Sequence, residues 1–125
     1  MRKSALLGVI FGALVLGACG GSSSSGGTSG STITMGGTTF TGNTHITIRK
    51  GESVTFDDSN GGTHKLVTGT HGNFTAAQGA PSEFASKDGI LFDAGETKTV
   101  TFSTAGTFEI TCTFHPDMQA TITVQ

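Results

Sequence analysis

The chain has 125 residues and carries 7 Lys+Arg against 9 Asp+Glu, a formal net charge of −2. That length accommodates one domain of about 100 residues with short extras, not two independent cores. The acidic balance and the lack of a basic run exclude a nucleic-acid footprint. The abundance of Gly, Thr and Phe, with no Trp or Tyr and little Leu beyond the first 20 residues, argues against a helical bundle. Two cysteines suggest a disulfide at first sight, but their surroundings give each a separate task.

Met1-Arg2-Lys3 is a short basic head, and an apolar run follows it from Ala5 to Gly17. A basic start, about a dozen apolar residues and small residues before a cut site form an export signal. The run falls short of the roughly 20 apolar residues of a permanent spanning helix. Leu16-Gly17-Ala18-Cys19 resembles the bacterial lipobox. The resemblance implies cleavage after residue 18 and a diacylglycerol on Cys19. The bland reading is an ordinary secretory peptide cut nearby, with Cys19 left as a free thiol. Residues 20–31 are almost entirely Gly and Ser, a tether that buries nothing. Twelve such residues span roughly 17–21 Å root-mean-square. The expected organisation is a signal peptide over 1–18, a lipidated Cys19 with its tether over 19–31, and a folded domain over 32–125. The expected location is the cell envelope, outside the cytoplasm; with Gly20 after the cysteine, that means outer-membrane sorting if the host is Gram-negative.

From residue 32 onward, short runs of period two alternate with Gly-containing turns. Thr32-Ile33-Thr34-Met35 is the first run. His45-Ile46-Thr47-Ile48 and Ser53-Val54-Thr55-Phe56 flank Arg49-Lys50-Gly51-Glu52, which the turn chemistry predicts as a hairpin. Residues 63–68, 97–102, 106–113 and 120–124 are further strands, rich in β-branched and aromatic residues. Residues 69–87 have little periodicity and are expected to form a long excursion. No 3.6-residue period occurs after residue 20. The pattern predicts an all-β domain, a β-sandwich of about seven to eight strands.

The chemistry concentrates in Thr111-Cys112-Thr113-Phe114-His115-Pro116-Asp117-Met118, between two predicted strands. With Cys19 committed to lipid, Cys112 has no partner within the chain. A lone thiol in an oxidising compartment is a liability unless it is buried or bound to a metal. His115 and Met118 lie within six positions of it. A thiolate, two imidazoles and a weak axial thioether are the ligand set of a blue-copper electron-transfer site. One more His is then required, and His45, His64 and His71 are the candidates. His64 is preferred, because a loop at the end of its strand can meet the 112–118 loop. His45 alternates with Ile46 and Ile48, which places it on the solvent face or at a turn. His71 lies in the Gly-flanked segment Thr70-His71-Gly72. Both remain alternatives.

The segment Cys112-Thr113-Phe114-His115-Pro116-Asp117-Met118 resembles the copper loop of the cupredoxins, and its Cys-x-x-His-x-x-Met spacing is similar to amicyanin and shorter than in plastocyanin. The resemblance extends over about residues 32–125, through Phe92-Asp93-Ala94-Gly95-Glu96 and the Gly106-Thr107-Phe108 strand. It implies a Greek-key β-sandwich with one type 1 copper held by His64, Cys112, His115 and Met118. It also implies a monomeric electron carrier without turnover of its own. Its partners would be redox proteins, such as cytochromes or membrane oxidoreductase complexes, and its membrane contact the lipid anchor. His115 is expected to reach solvent through an apolar patch that includes Phe114 and Pro116. A second electron route along Thr111 and Ile110 lacks the Tyr that some relatives use there.

Two positions depart from the family pattern. Lys65 follows the ligand His where plastocyanin, azurin and amicyanin carry an Asn bridging the ligand loops. Support for the thiolate must then come from Thr63, Thr113 or backbone amides. Phe56 stands where many relatives have a different aromatic, often Trp. Asp117, between two ligands, is expected to be a solvated loop residue. Three other classes compete: a copper chaperone or buffer, an immunoglobulin-like module with a fortuitous Cys, and a multicopper enzyme. The full Cys/His/His/Met set disfavours the first, and the four histidines in the chain are too few for the last.

Overall fold

A computed structural model describes residues 31–125. The expected signal, Cys19 and nearly all of the tether lie outside the described residues. Ten strands and no helix occur among the described residues. They are β1 (Ser31–Met35), β2 (Phe40–Thr41), β3 (His45–Ile48), β4 (Ser53–Asp57), β5 (His64–Thr70), β6 (Asn73–Phe74), β7 (Ile90–Phe92), β8 (Thr97–Thr101), β9 (Gly106–Cys112) and β10 (Gln119–Val124). The count exceeds the sequence expectation because β2, β6 and β7 are pieces of two or three residues, too short to show a period.

The strands form two sheets. One has the order β2-β1-β4-β8; the other runs β3-β10-β9-β5-β6, with β7 pairing the start of β5. Alternation decides the facing: in β10 the pattern of half-buried Gln119, Thr121 and Thr123 against buried Ala120, Ile122 and Val124 points every second side chain inward. The two inner faces enclose one core, in which Phe56, Phe84, Phe92, Phe102 and Phe108 are fully buried. Full burial of each such side chain contributes about 1.5–3 kcal/mol. Their rings are in contact, with centroids 5.5 Å apart for Phe56 and Phe84, and 5.6 Å for Phe102 and Phe108.

The expected hairpin at residues 49–52 is not one. β3 pairs with β10, whereas β4 pairs with β1 and β8, so this turn carries the chain from one sheet to the other. It has local turn bonds, Glu52 N–H to Arg49 O at 3.0 Å and Arg49 N–H to the Glu52 carboxylate at 2.8 Å. Its tip is held outward instead, by Lys50 N–H on Gln125 O and Gly51 N–H on Phe102 O, both at 2.7 Å. Tertiary partners thus override a local turn signal. Further crossings between sheets at β2–β3, β4–β5, β7–β8 and β8–β9 complete the sandwich.

The excursion after β5 is also better anchored than its sequence suggests. Gly69, at φ 136°, lets β5 bend into the β6 hairpin. Farther along, Phe84 inserts completely into the core. The Thr68 hydroxyl donates to Thr75 O at 2.8 Å and is 3.2 Å from Phe84 O.

Candidate metal centre

Strand register builds the site. β5 and β9 are antiparallel with Leu66 opposite Cys112, so His64, two residues from Leu66, shares its inward face at the sheet's end. Immediately past Cys112 the chain turns back through His115 and Met118 into β10. Two backbone bonds close that turn: Met118 N–H donates to His115 O at 2.9 Å, and Cys112 N–H to Met118 O at 3.3 Å.

Nδ1 of His64 lies 3.8 Å from Cys112 Sγ, Nδ1 of His115 lies 3.6 Å from it, and the two Nδ1 atoms are 3.2 Å apart. One soft sulfur and two imidazole nitrogens therefore converge from two separate segments. His64, Cys112 and Met118 are buried, and His115 is half-buried. Cys112 is the free cysteine of the described residues. This donor set fits copper: thiolate and imidazoles within mutual reach, with a buried thioether on the same loop.

His45 and His71 are not in this group. His45 is exposed on β3, with its ring near the Thr44 hydroxyl. His71 is exposed at φ 50°, with Nδ1 2.9 Å from Gln119 Nε2. Lys65 does not supply the side-chain bridge that Asn makes in relatives. Its backbone does so instead, accepting Thr113 N–H at 2.9 Å, while its ammonium sits 5.8 Å from the Phe114 ring centroid. Thr63 is exposed and the buried Thr113 hydroxyl has no hydrogen-bond partner, so the observed brace is the Thr113–Lys65 backbone bond, which ties the two ligand segments to each other. Thr111 adds a brace, its hydroxyl accepting Gly72 N–H at 2.9 Å. Phe114 is 50% exposed and Pro116 and Asp117 are exposed, all beside half-buried His115.

Asp58, which sequence reasoning did not single out, faces the site. Its Oδ1 is 3.5 Å from His64 Nε2, and both residues are fully buried. Burial raises the Asp58 carboxyl above its ordinary pKa, against the opposing pull of His64. Burial likewise lowers His64, with Asp58 and the Gly36 backbone opposing the shift. Gly62 makes room for this ring: a Cβ there would lie 2.9 Å from Nε2, and its φ is +145°. The Gly61-Gly62 pair before His64 was the available signal, since a ring packed against backbone needs such a residue.

A β-sandwich that closes a cysteine, two histidines and a methionine at one end is a type 1 copper protein. The family model described as copper binding proteins, plastocyanin/azurin family, matches residues 30–125, and the chain belongs to that family. Among solved structures, a reduced proline-to-phenylalanine mutant of amicyanin is 18% identical, with a TM-score of 0.58 over 78% of this chain and 83% of that one. The Cu(I) form of a methionine-to-alanine amicyanin mutant is also 18% identical, with a TM-score of 0.58 over 77% and 82%. A search of curated proteins gives no match. Copper is the metal of this family, and His64, Cys112, His115 and Met118 are the ligand set present here.

Proposed function

We propose that this protein is a membrane-anchored, extracytoplasmic electron carrier that passes one electron at a time through its copper site. The observation carrying this reading is the convergence of Cys112 Sγ with Nδ1 of His64 and His115 inside a braced frame. Copper supplies the one-electron couple. The chain's own residues keep the donors in place: Thr113 N–H on Lys65 O ties the two ligand segments, and the Cys112–Met118 bonds close the loop. A frame fixed by backbone bonds needs little rearrangement when the charge at its centre changes, which favours fast transfer. Half-buried His115, bordered by exposed Phe114 and Pro116, offers a short route to a docked redox protein. The small, partly apolar surface there suits a transient partner, such as a cytochrome or a membrane oxidoreductase.

Anchoring is supported by Leu16-Gly17-Ala18-Cys19 after a basic head and an apolar run, followed by a Gly/Ser tether. Two acyl chains give stable attachment, and the tether allows the domain to reach partners near the surface. Adding Cu(II) to the metal-free protein should give an intense blue colour that one electron bleaches reversibly, and Cys112→Ser should remove it. Colourless Cu(I) uptake without a blue Cu(II) form would replace the carrier with a copper chaperone. In cells, Cys19→Ser should move the protein from the membrane fraction to the soluble one; unchanged membrane attachment would sink the anchor.

A further inference from the structure

Asp58 follows β4 directly and is 0% exposed. Its backbone is fully engaged: N–H donates to Glu96 O at 2.9 Å, and its carbonyl accepts from Gly61 at 3.1 Å and Gly95 at 3.0 Å. Neither carboxylate oxygen has a hydrogen-bond partner. A carboxylate enclosed in this way costs several kcal/mol unless an N–H or a positive charge answers it. Nearby Asp57 and Glu96 make the cost larger, not smaller. The group that faces Asp58 Oδ1 is His64 Nε2, itself buried and without a hydrogen bond of good geometry.

The other nitrogen of that ring, Nδ1, points at Cys112 and His115. When Nδ1 serves as a ligand, the ring's proton must reside on Nε2, toward Asp58. Ligating histidines commonly donate their second N–H to a carboxylate or carbonyl, which fixes ring and tautomer and raises ligand basicity. Resting on the copper reading above, we propose that Asp58 is the positioning residue of this site: its carboxylate holds His64 Nε2–H, presents Nδ1 to copper, and biases the site toward Cu(II). An acceptor on Nε2–H makes Nδ1 a more basic donor, and a more basic imidazole favours Cu(II) over Cu(I), so Asp58 lowers the reduction potential.

The test uses the full chain, at mildly alkaline pH, with Asp58→Asn and Asp58→Leu. Asp58→Asn keeps the shape and an acceptor oxygen but loses the charge; Asp58→Leu loses both. Both variants should still turn blue. In Asp58→Asn the preference for Cu(II) over Cu(I) should fall about tenfold, a rise of about 59 mV for one electron. In the metal-free protein, ring 15N shifts of His64 should show the Nε2–H tautomer in wild type and a mixture in Asp58→Leu. A wild-type potential in Asp58→Asn overturns the proposal. So does an unchanged tautomer in Asp58→Leu, because the Gly36 backbone alone then holds the ring. Should Asp58→Leu fail to fold, the near-isosteric Asn variant decides through the potential. A wild-type protein that never turns blue would instead defeat the carrier reading, and the tautomer of the metal-free protein would still judge Asp58.

Discussion

Met118 is enclosed at the end of the core, yet its backbone belongs to the ligand loop, bonded to both Cys112 and His115. A thioether is flexible and polarisable, so this residue fills space and would serve a bound copper as a weak sulfur donor. Leu has nearly the same volume, and such exchanges usually cost under about 1.5 kcal/mol. Met118→Leu should therefore leave the fold and the copper in place while removing a donor that favours Cu(II). The reduction potential is expected to rise, by about 59 mV for each tenfold loss in relative Cu(II) affinity. Voltammetry of the loaded protein checks this, and a potential that falls or stays constant would remove Met118 from the ligand set. Cys112, His115 and Met118 were legible in the sequence because three spaced ligands of unusual chemistry occur within seven positions. Asp58 was not, because an acid in a polar loop looks like any solvated turn residue, and only the folded chain shows that it is enclosed.

At the scale of elements, alternation made the long strands readable, whereas the loops hid their contributions. Residues 69–87 show no period, yet Phe84 reaches the core and touches Phe56 edge-on, with 70° between the ring planes. Phe84→Ala should cost about 3–5 kcal/mol, measured as a lower urea midpoint of the metal-free protein; a loss within 0.5 kcal/mol, the usual range for surface changes, would mean that the excursion is a dispensable surface loop. The 49–52 turn misled in the opposite sense, since its hairpin chemistry is real but its strands belong to different sheets. The turn joining β7 to β8 carries its own charge device. Glu96 accepts Asp93 N–H at 2.9 Å and meets Lys98 at 3.1 Å, and these, the backbone bond foremost, hold its carboxyl below the ordinary 4.5. A carboxyl depressed on folding adds stability that is present above the unfolded value and lost as pH falls through the folded one. Glu96→Gln should accordingly flatten the stability loss below about pH 4.5. Acid titrations of wild type and variant with the same slope would deny Glu96 that part.

For the whole molecule, the copper site and the sandwich are one cooperative object. The donors come from β5, from the end of β9 and from the loop that joins β9 to β10, and β5 and β10 flank β9 in the same sheet. Unfolding must separate His64 from Cys112, so a metal that binds all the ligands at once stabilises the native state and has no equivalent site in the unfolded chain. The gain follows RT ln(1 + [L]/Kd), about 4 kcal/mol when free copper stands a thousandfold above Kd. At roughly 4–8 °C per kcal/mol for a domain of this size, the melting temperature should rise by at least about 15 °C. A chelator should reverse the shift fully. In Cys112→Ser the shift should shrink to a small remainder, because two imidazoles and a thioether bind copper far less tightly than the set that includes the thiolate. An immunoglobulin-like sandwich with an incidental cysteine makes the contrary prediction: the same melting temperature with copper, with chelator, and in Cys112→Ser apart from the packing cost of the substitution. Scanning calorimetry of the three samples separates the two. It does so without reference to colour or redox activity, so it tests whether copper and fold are linked even before a partner is known.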